Sequence, residues 1–217
     1  PNEDKLCMSV IVEMDPNAKV IRHKICRTVI CSDYRLTYRQ AQDILDGKEL
    51  ESQLKNPQLT TAINTLNQLA KQLRNNRFRQ GAINFETPEV HFKLDEKGEP
   101  VSIFFHKLFD SNHLIEEFML LANRIVAAEI GRKKKDTDNQ EKTAKPFVYR
   151  VHDNPDPEKI SKLSSFIKRF GLHLKLSSNN KTTHKHLNNL LDDCQGKPCQ
   201  TLVETLTIRS MAKAVYS

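Results

Sequence analysis

No apolar run in this sequence approaches the roughly 18 to 20 consecutive residues that a membrane-spanning helix requires, and the opening PNEDKLCMSV has no basic-then-apolar signal arrangement. A soluble, non-exported, cytoplasmic protein is the expectation. The signatures of common enzymes are missing as well: there is no GxxxxGK[ST], no GxGxxG after a strand, no GxSxG and no HExxH. Nucleotide-cradling loops, esterase elbows and zincin helices are thereby excluded. Histidines are scattered, and His184 with His186 stand at an i, i+2 spacing that shares no helical face, so a histidine metal site is disfavoured. The five cysteines are an odd number in a chain large enough to stabilise itself by burial, which argues for reduced thiols rather than a disulfide framework. Cys26 and Cys31 lie in a strand-like run at an odd offset, pointing to opposite faces, so a zinc site has little support.

What is present is basic. The chain of 217 residues carries 34 Lys and Arg against 27 Asp and Glu, a formal charge of +7 with a pI near 9.1. Long-range attraction then favours an anionic partner such as a nucleic acid, with a merely solvated basic surface as the alternative. The length suits one large domain or two small ones. Starting at Pro1 and ending at Tyr216-Ser217 after what reads as an unbroken helical pattern, the chain is expected to be an excerpt of a longer protein.

Leu6–Met14 and Val20–Ser32 are rich in β-branched residues and flank Asp15-Pro16-Asn17, which predicts an antiparallel hairpin whose second strand, carrying Arg22 and Lys24, has a wet face. Thr37 with Gln40 three residues later has capping-box spacing and opens a helix that Gly47 ends. A longer helix starts at Pro57, with Leu59, Ile63, Leu66, Leu69, Ala70 and Leu73 at helical spacing. Ala82–Leu94 and Val101–Leu108 form a second hairpin around a Gly98 loop, with Pro88 at an edge or bend. Ser111–Ile130 is the strongest helix, its stripe formed by Leu114, Ile115, Phe118, Leu121, Ala122, Ile125 and Val126. The charged run 132–145 is expected to be a solvated loop or flexible insert. A short strand Phe147–Val151, a helix Glu158–Phe170 stopped by Gly171, and helices His184–Leu191 and Gln200–Val215 complete an α+β fold of antiparallel hairpins packed with helices.

Among candidate functional residues, the acids Asp136 and Asp138, Asp153 and Asp156, and Asp192 and Asp193 all read as turn or helix-end carboxylates, and none makes a two-metal site. Aromatic residues beside cations stand out more: Tyr38 after Arg35, Phe78 in NNRFRQ, and Phe85 in GAINFETPEV. Such pairs serve as stacking platforms for single-stranded nucleic acid, although strands carry core aromatics whatever their function. Glu116 and Asn123 share a face of the long helix, where a carboxylate can accept from a ribose 2′-hydroxyl or simply face solvent.

The succession RLTYRQAQDILDG, GAINFETPEVHFKLDEKGEPVSI, LIEEFMLLANRIVAAEIG, YRVHDNPDPEKISKL and TIRSMAKAVYS resembles, in order and spacing, the RNB nuclease domain of the ribonuclease II/ribonuclease R family of exoribonucleases. The resemblance covers essentially residues 1–217 as part of that domain. It implies a processive hydrolase that removes nucleoside 5′-monophosphates from the 3′ end of single-stranded RNA with Mg²⁺ held by an aspartate cluster before Pro1, and with an arginine-bearing segment after Ser217. No catalytic residue and no metal ligand is then expected within this stretch, no small-molecule cofactor is implied, and the excerpt alone is expected to be inactive. By position, Phe85 matches an aromatic that stacks on a terminal base, Tyr38 a tyrosine near the 3′ end, and Glu116 a glutamate on the terminal ribose. Where the family often has Asp-Ala-His-Lys, this chain has Asp110-Ser111-Asn112-His113, so contacts by that His or Lys do not carry over. Two alternatives remain open: a non-catalytic RNA-binding member of the family, and a protein-interaction module with a basic docking face.

Overall fold

Strands of eleven and twelve residues pair at the start of the chain, with one register shift between Glu13 and Met14, and the turn between them is fixed by one carboxylate. Strand β1 (Asp4–Met14) runs antiparallel to β2 (Val20–Cys31). The Asp15 Oδ1 accepts from the N–H groups of Asn17 at 2.9 Å and Lys19 at 2.8 Å, and Ala18 takes a left-handed φ of 60°. The computed structural model describes residues 1–83, 89–106, 108–131, 134–135, 141–142, 145–174 and 184–217. The chain continues through α1 (Tyr38–Leu45), α2 (Pro57–Arg79), β3 (Glu89–Leu94), β4 (Pro100–His106) and α3 (Asp110–Gly131). It then runs through β5 (Lys134–Lys135), β6 (Glu141–Lys142), β7 (Arg150–Val151), α4 (Pro157–Ile167), α5 (His184–Cys194), α6 (Gln200–Ser210) and β8 (Val215–Tyr216). Among the described residues every strand pairs with one antiparallel partner, so the architecture is α+β with isolated strand pairs among helices. The chain divides into two compact units, residues 1–76 with 108–147 and residues 77–107 with 148–217.

In the first unit, one face of the β1–β2 hairpin packs Val10, Val12, Met14, Val20 and Ile25 against Leu73 of α2 and Leu121 and Ile125 of α3. Burying a Leu or Ile side chain contributes about 1.5–3 kcal/mol, which is what holds the hairpin to the helices. The opposite face presents Arg22 and Lys24 to water, as the strand pattern predicts, and Arg22 pairs there with Glu13. In α1 both halves of the capping box form: Gln40 N donates to Thr37 Oγ1 at 3.2 Å and Thr37 N to Gln40 Oε1 at 2.9 Å. Two expected stripe residues are exposed. Leu66 of α2 is 37% exposed and Ile115 of α3 is 51% exposed, because the helices are covered over narrower faces than their apolar spacing allows. The buried row of α3 is instead Ser111, Leu114, Glu117, Leu121 and Ile125, so a carboxylate takes a core position. Within the charged run, Lys134–Lys135 pair with Glu141–Lys142, and the rest of the insert apart from Lys145 lies outside the described residues.

In the second unit, α4 and α6 pack together, and Leu163, Ile167, Leu187, Leu190 and Val203 join a core to which α5 contributes. Asp156 caps α4, accepting from the N–H groups of Glu158 and Lys159, and Pro157 occupies the first turn. A 3-10 turn, Lys168–Phe170, extends the helix to Gly171, whose φ of 70° is the left-handed stop that glycine tolerates. The β3–β4 hairpin turns on Asp95, whose carboxylate accepts from Lys97 and Glu99 N–H, with Gly98 at φ 83°. Residues 84–88, which include Phe85 and Pro88, lie outside the described residues. The last expected helix is corrected: α6 stops at Ser210, Met211 turns extended, and Val215–Tyr216 form a strand paired with Arg150–Val151. A β-branched and an aromatic residue suit that pairing, and the bonds between Tyr149 and Ser217, at 2.8 and 3.0 Å, extend it.

Among the described residues no helix is long and apolar enough to cross a membrane. All five cysteines are free thiols.

Candidate functional site

Tyr38 and Glu116 belong to the first unit, and local capping places both. Tyr38 is the first residue of α1, set by the Thr37 cap, and is 48% exposed. Its carbonyl accepts from Ser111 Oγ at 2.8 Å, while Ser111 N donates to Gln42 Oε1 at 3.2 Å, so the starts of α1 and α3 tie each other down. Ser111 itself is 3% exposed. Beside it the Arg39 guanidinium lies 5.7 Å from the Phe109 ring centroid and pairs with Asp43 at 3.4 Å.

Glu116 sits farther along α3 with its carboxylate partly exposed. His113 Nδ1 is 3.2 Å from Glu116 Oε2, and Arg74 Nη1 of α2 lies 3.7 Å from the same oxygen. The same Arg74 nitrogen is 3.9 Å from Glu117 Oε1, whose side chain is fully buried. Arg74 therefore lies between a buried and a half-exposed carboxylate and fixes the second with respect to the first. Lys71 and Asp110, 2.7 Å apart, add a further α2–α3 ion pair. Ser111 and Glu116 are about 140° apart around the helix and about 7.5 Å along it, so Tyr38 and Glu116 come to the same end of α3 without sharing a face. Asn123, exposed and seven residues beyond Glu116, does share its face.

The other aromatic candidates fare differently. Phe78 is half-buried, and the Arg77 guanidinium lies 5.1 Å from its ring centroid. Phe85 lies outside the described residues. Sequence spacing pointed to Glu116 but missed Arg74, Ser111 and Glu117. For Glu117 a signal existed: it falls between Leu114 and Leu121 in an apolar stripe, where an acid requires a buried partner. His113 was noted only as a departure from the family's wording, yet it supplies a contact to Glu116.

The described residues do not fit a metal centre, for no three His, Cys, Asp or Glu side chains gather as ligands. Asp156 is occupied as a helix cap and Asp153 accepts from the N–H of Asn154. A hollow of about 320 Å³ in the second unit is lined by His173, His186, Asn189, Asp192 and Asp193, and these residues do not converge on one point either.

Comparison with known proteins bears on the family and the fold. The family model of the RNB domain matches residues 1–217. Ribonuclease R of Aquifex aeolicus is 33% identical over 217 residues, which is all of this chain and 29% of that protein. Mycoplasma genitalium RNase R, solved in complex with ribose-methylated single-stranded RNA, superposes with a TM-score of 0.86 at 21% identity, over 100% of this chain and 32% of that one. Yeast Ssd1, described as a pseudonuclease, superposes with a TM-score of 0.63 at 15% identity, over 100% of this chain and 24% of that one. The chain thus spans under a third of the relatives it matches, and through the match along its whole length it belongs to the RNB-domain family of ribonucleases.

Proposed function

We propose that the protein containing this chain is a 3′-to-5′ exoribonuclease that hydrolyses RNA processively to nucleoside 5′-monophosphates. Mg²⁺ would be held by carboxylates outside these 217 residues, and this stretch would supply RNA-binding wall rather than catalytic groups. The observation that carries the reading is the RNB match over residues 1–217. The net charge of +7 and the RNA bound in the Mycoplasma RNase R complex support it. In this reading Glu116 accepts from a ribose 2′-hydroxyl near the 3′ end, Tyr38 lies close to that end, and Phe85 stacks on a base. Without carboxylate ligands two-metal chemistry has no site, so the 217-residue chain alone is silent.

The test is digestion of RNA in Mg²⁺ by a polypeptide of the relatives' length that contains this chain, and by the chain alone. Stepwise loss of single nucleotides from the 3′ end by the longer protein, and none by the chain, is expected. Mononucleotide release by the chain alone would overturn the placement of the chemistry. In the longer protein Phe85→Ala should weaken the hold on short RNA ends far more than on long RNA, and equal loss for both would remove Phe85 from the role. A second reading, an RNA-binding member without nuclease activity, is favoured by the superposition on the pseudonuclease Ssd1. It predicts RNA binding without any digestion by the longer protein.

A further inference from the structure

Helix α4 and the 3-10 turn that continues it bury Ile160, Leu163 and Ile167 and turn their other side to water. On that side Lys162, Lys168 and Arg169 are exposed, and among the described residues none of the three has an acid within ion-pair distance. Neighbouring Lys159 is held 3.8 Å from Asp156, and Glu158, one turn before Lys162, makes no pair with it. Some other exposed cations, such as Arg22, Lys48 and Lys71, are paired with acids. Cations in a last helical turn are favoured by the helix dipole, which accounts for Lys168 and Arg169 but not for Lys162, more than a turn earlier. Next to them Phe170 is 41% exposed. Its ring centroid lies 5.5 Å from that of Phe166 at an interplanar angle of 58°, and Phe166 packs on the core, so an exposed ring is anchored among unpaired cations.

That combination, cations along a ridge with an aromatic face beside them, is how single-stranded nucleic acid is held without sequence preference. We propose that the exposed face of α4 and its 3-10 extension binds the backbone of single-stranded RNA, with Lys162, Lys168 and Arg169 on phosphates and the Phe170 ring under a base. This rests on the RNA reading above and adds a contact surface to it. Phosphates are common to RNA and DNA, so this face, unlike Glu116, does not distinguish the two.

The experiment measures binding of the 217-residue chain to a fluorescent single-stranded RNA, and to DNA of the same sequence, across a salt series. Circular dichroism verifies that each variant is folded. Three phosphate contacts at about 0.7 each predict that K162Q/K168Q/R169Q lowers the slope of log K against log salt by about 2, for RNA and DNA alike. The control K5Q/K19Q/K55Q removes the same charge elsewhere and should leave the slope nearly unchanged. Phe170→Leu, which keeps apolar packing, should weaken binding on the order of tenfold at fixed salt without changing the slope. An unchanged slope in the triple variant, an equal fall in the control, or an effect confined to RNA would overturn the proposal while leaving the RNA reading intact. No binding of RNA by the unaltered, folded chain even at low salt would instead overturn the reading on which the proposal rests.

Discussion

Removing the guanidinium of Arg74 tests how the first unit is held together. Glu117 has a fully buried side chain, and Arg74, itself 18% exposed, approaches it to 3.9 Å. At that distance and an effective dielectric constant of about 20 the attraction is about 4 kcal/mol, and removing one partner of a buried pair typically costs about 3–5 kcal/mol because the other charge is left uncompensated. Arg74 is partly solvated and Glu117 has a further interaction besides Arg74, so the lower end applies, and Arg74→Ala should destabilise the chain by about 3 kcal/mol. For a domain of this size that corresponds to a fall in Tm of about 6–12 °C. Glu117→Gln alone should cost less, since Arg74 keeps some water and Glu116 at 3.7 Å. The informative variant is Arg74→Ala with Glu117→Gln, which removes both charges at once. Urea unfolding of the four proteins should show the double variant to be more stable than the sum of single costs predicts, by at least about 1 kcal/mol. Strict additivity, or a cost below about 1 kcal/mol for Arg74→Ala, would refute the pairing as the reason Glu117 is tolerated in the core.

The capping box gives a smaller, local effect. Thr37→Ala removes the oxygen that accepts from Gln40 N–H and should cost about 1 kcal/mol in the same unfolding assay, with Thr37→Ser retaining most of it. Burial, reinforced by the Glu204 carboxylate, raises the Cys194 thiol pKa above its ordinary value. Because the folded pKa exceeds the unfolded one, the contribution of Cys194 is fully present below the unfolded value of about 8.5 and is lost as pH rises through the folded value. In alkylation kinetics Cys194 should therefore react last and exposed Cys31 well before it, and Cys194→Ala should flatten the alkaline decline in stability.

How far the sequence carried depends on the distance over which each feature is encoded. The Asp15 turn, the Gly98 loop, the Thr37–Gln40 box, the helix-end carboxylate of Asp156 and the Gly171 stop each reside in a window of a few residues, where side-chain chemistry and backbone angles determine one another, and each was legible. Helical periodicity is less informative, because it reports which face is able to be buried and not how much of it neighbours cover. That is why Leu66 and Ile115 were assigned to the core and stand exposed, while Glu117 went unnoticed. Features made by distant residues were out of reach altogether. The Ser111 hydroxyl on the Tyr38 carbonyl spans 73 residues, and the pairing of Val215–Tyr216 with Arg150–Val151 turned an expected helix end into a strand. The candidate site shows the same division. The family's wording led to Tyr38 and Glu116 one residue at a time, but the side chains that orient them, Ser111, His113 and Arg74, emerge only from packing. Ser111 ties the starts of α1 and α3 together, and His113 and Arg74 approach Glu116. Tyr38 and Glu116 then keep their places through the buried Ser111 hydroxyl, the His113 ring and the Arg74 guanidinium, and their roles should be tested together with those supports.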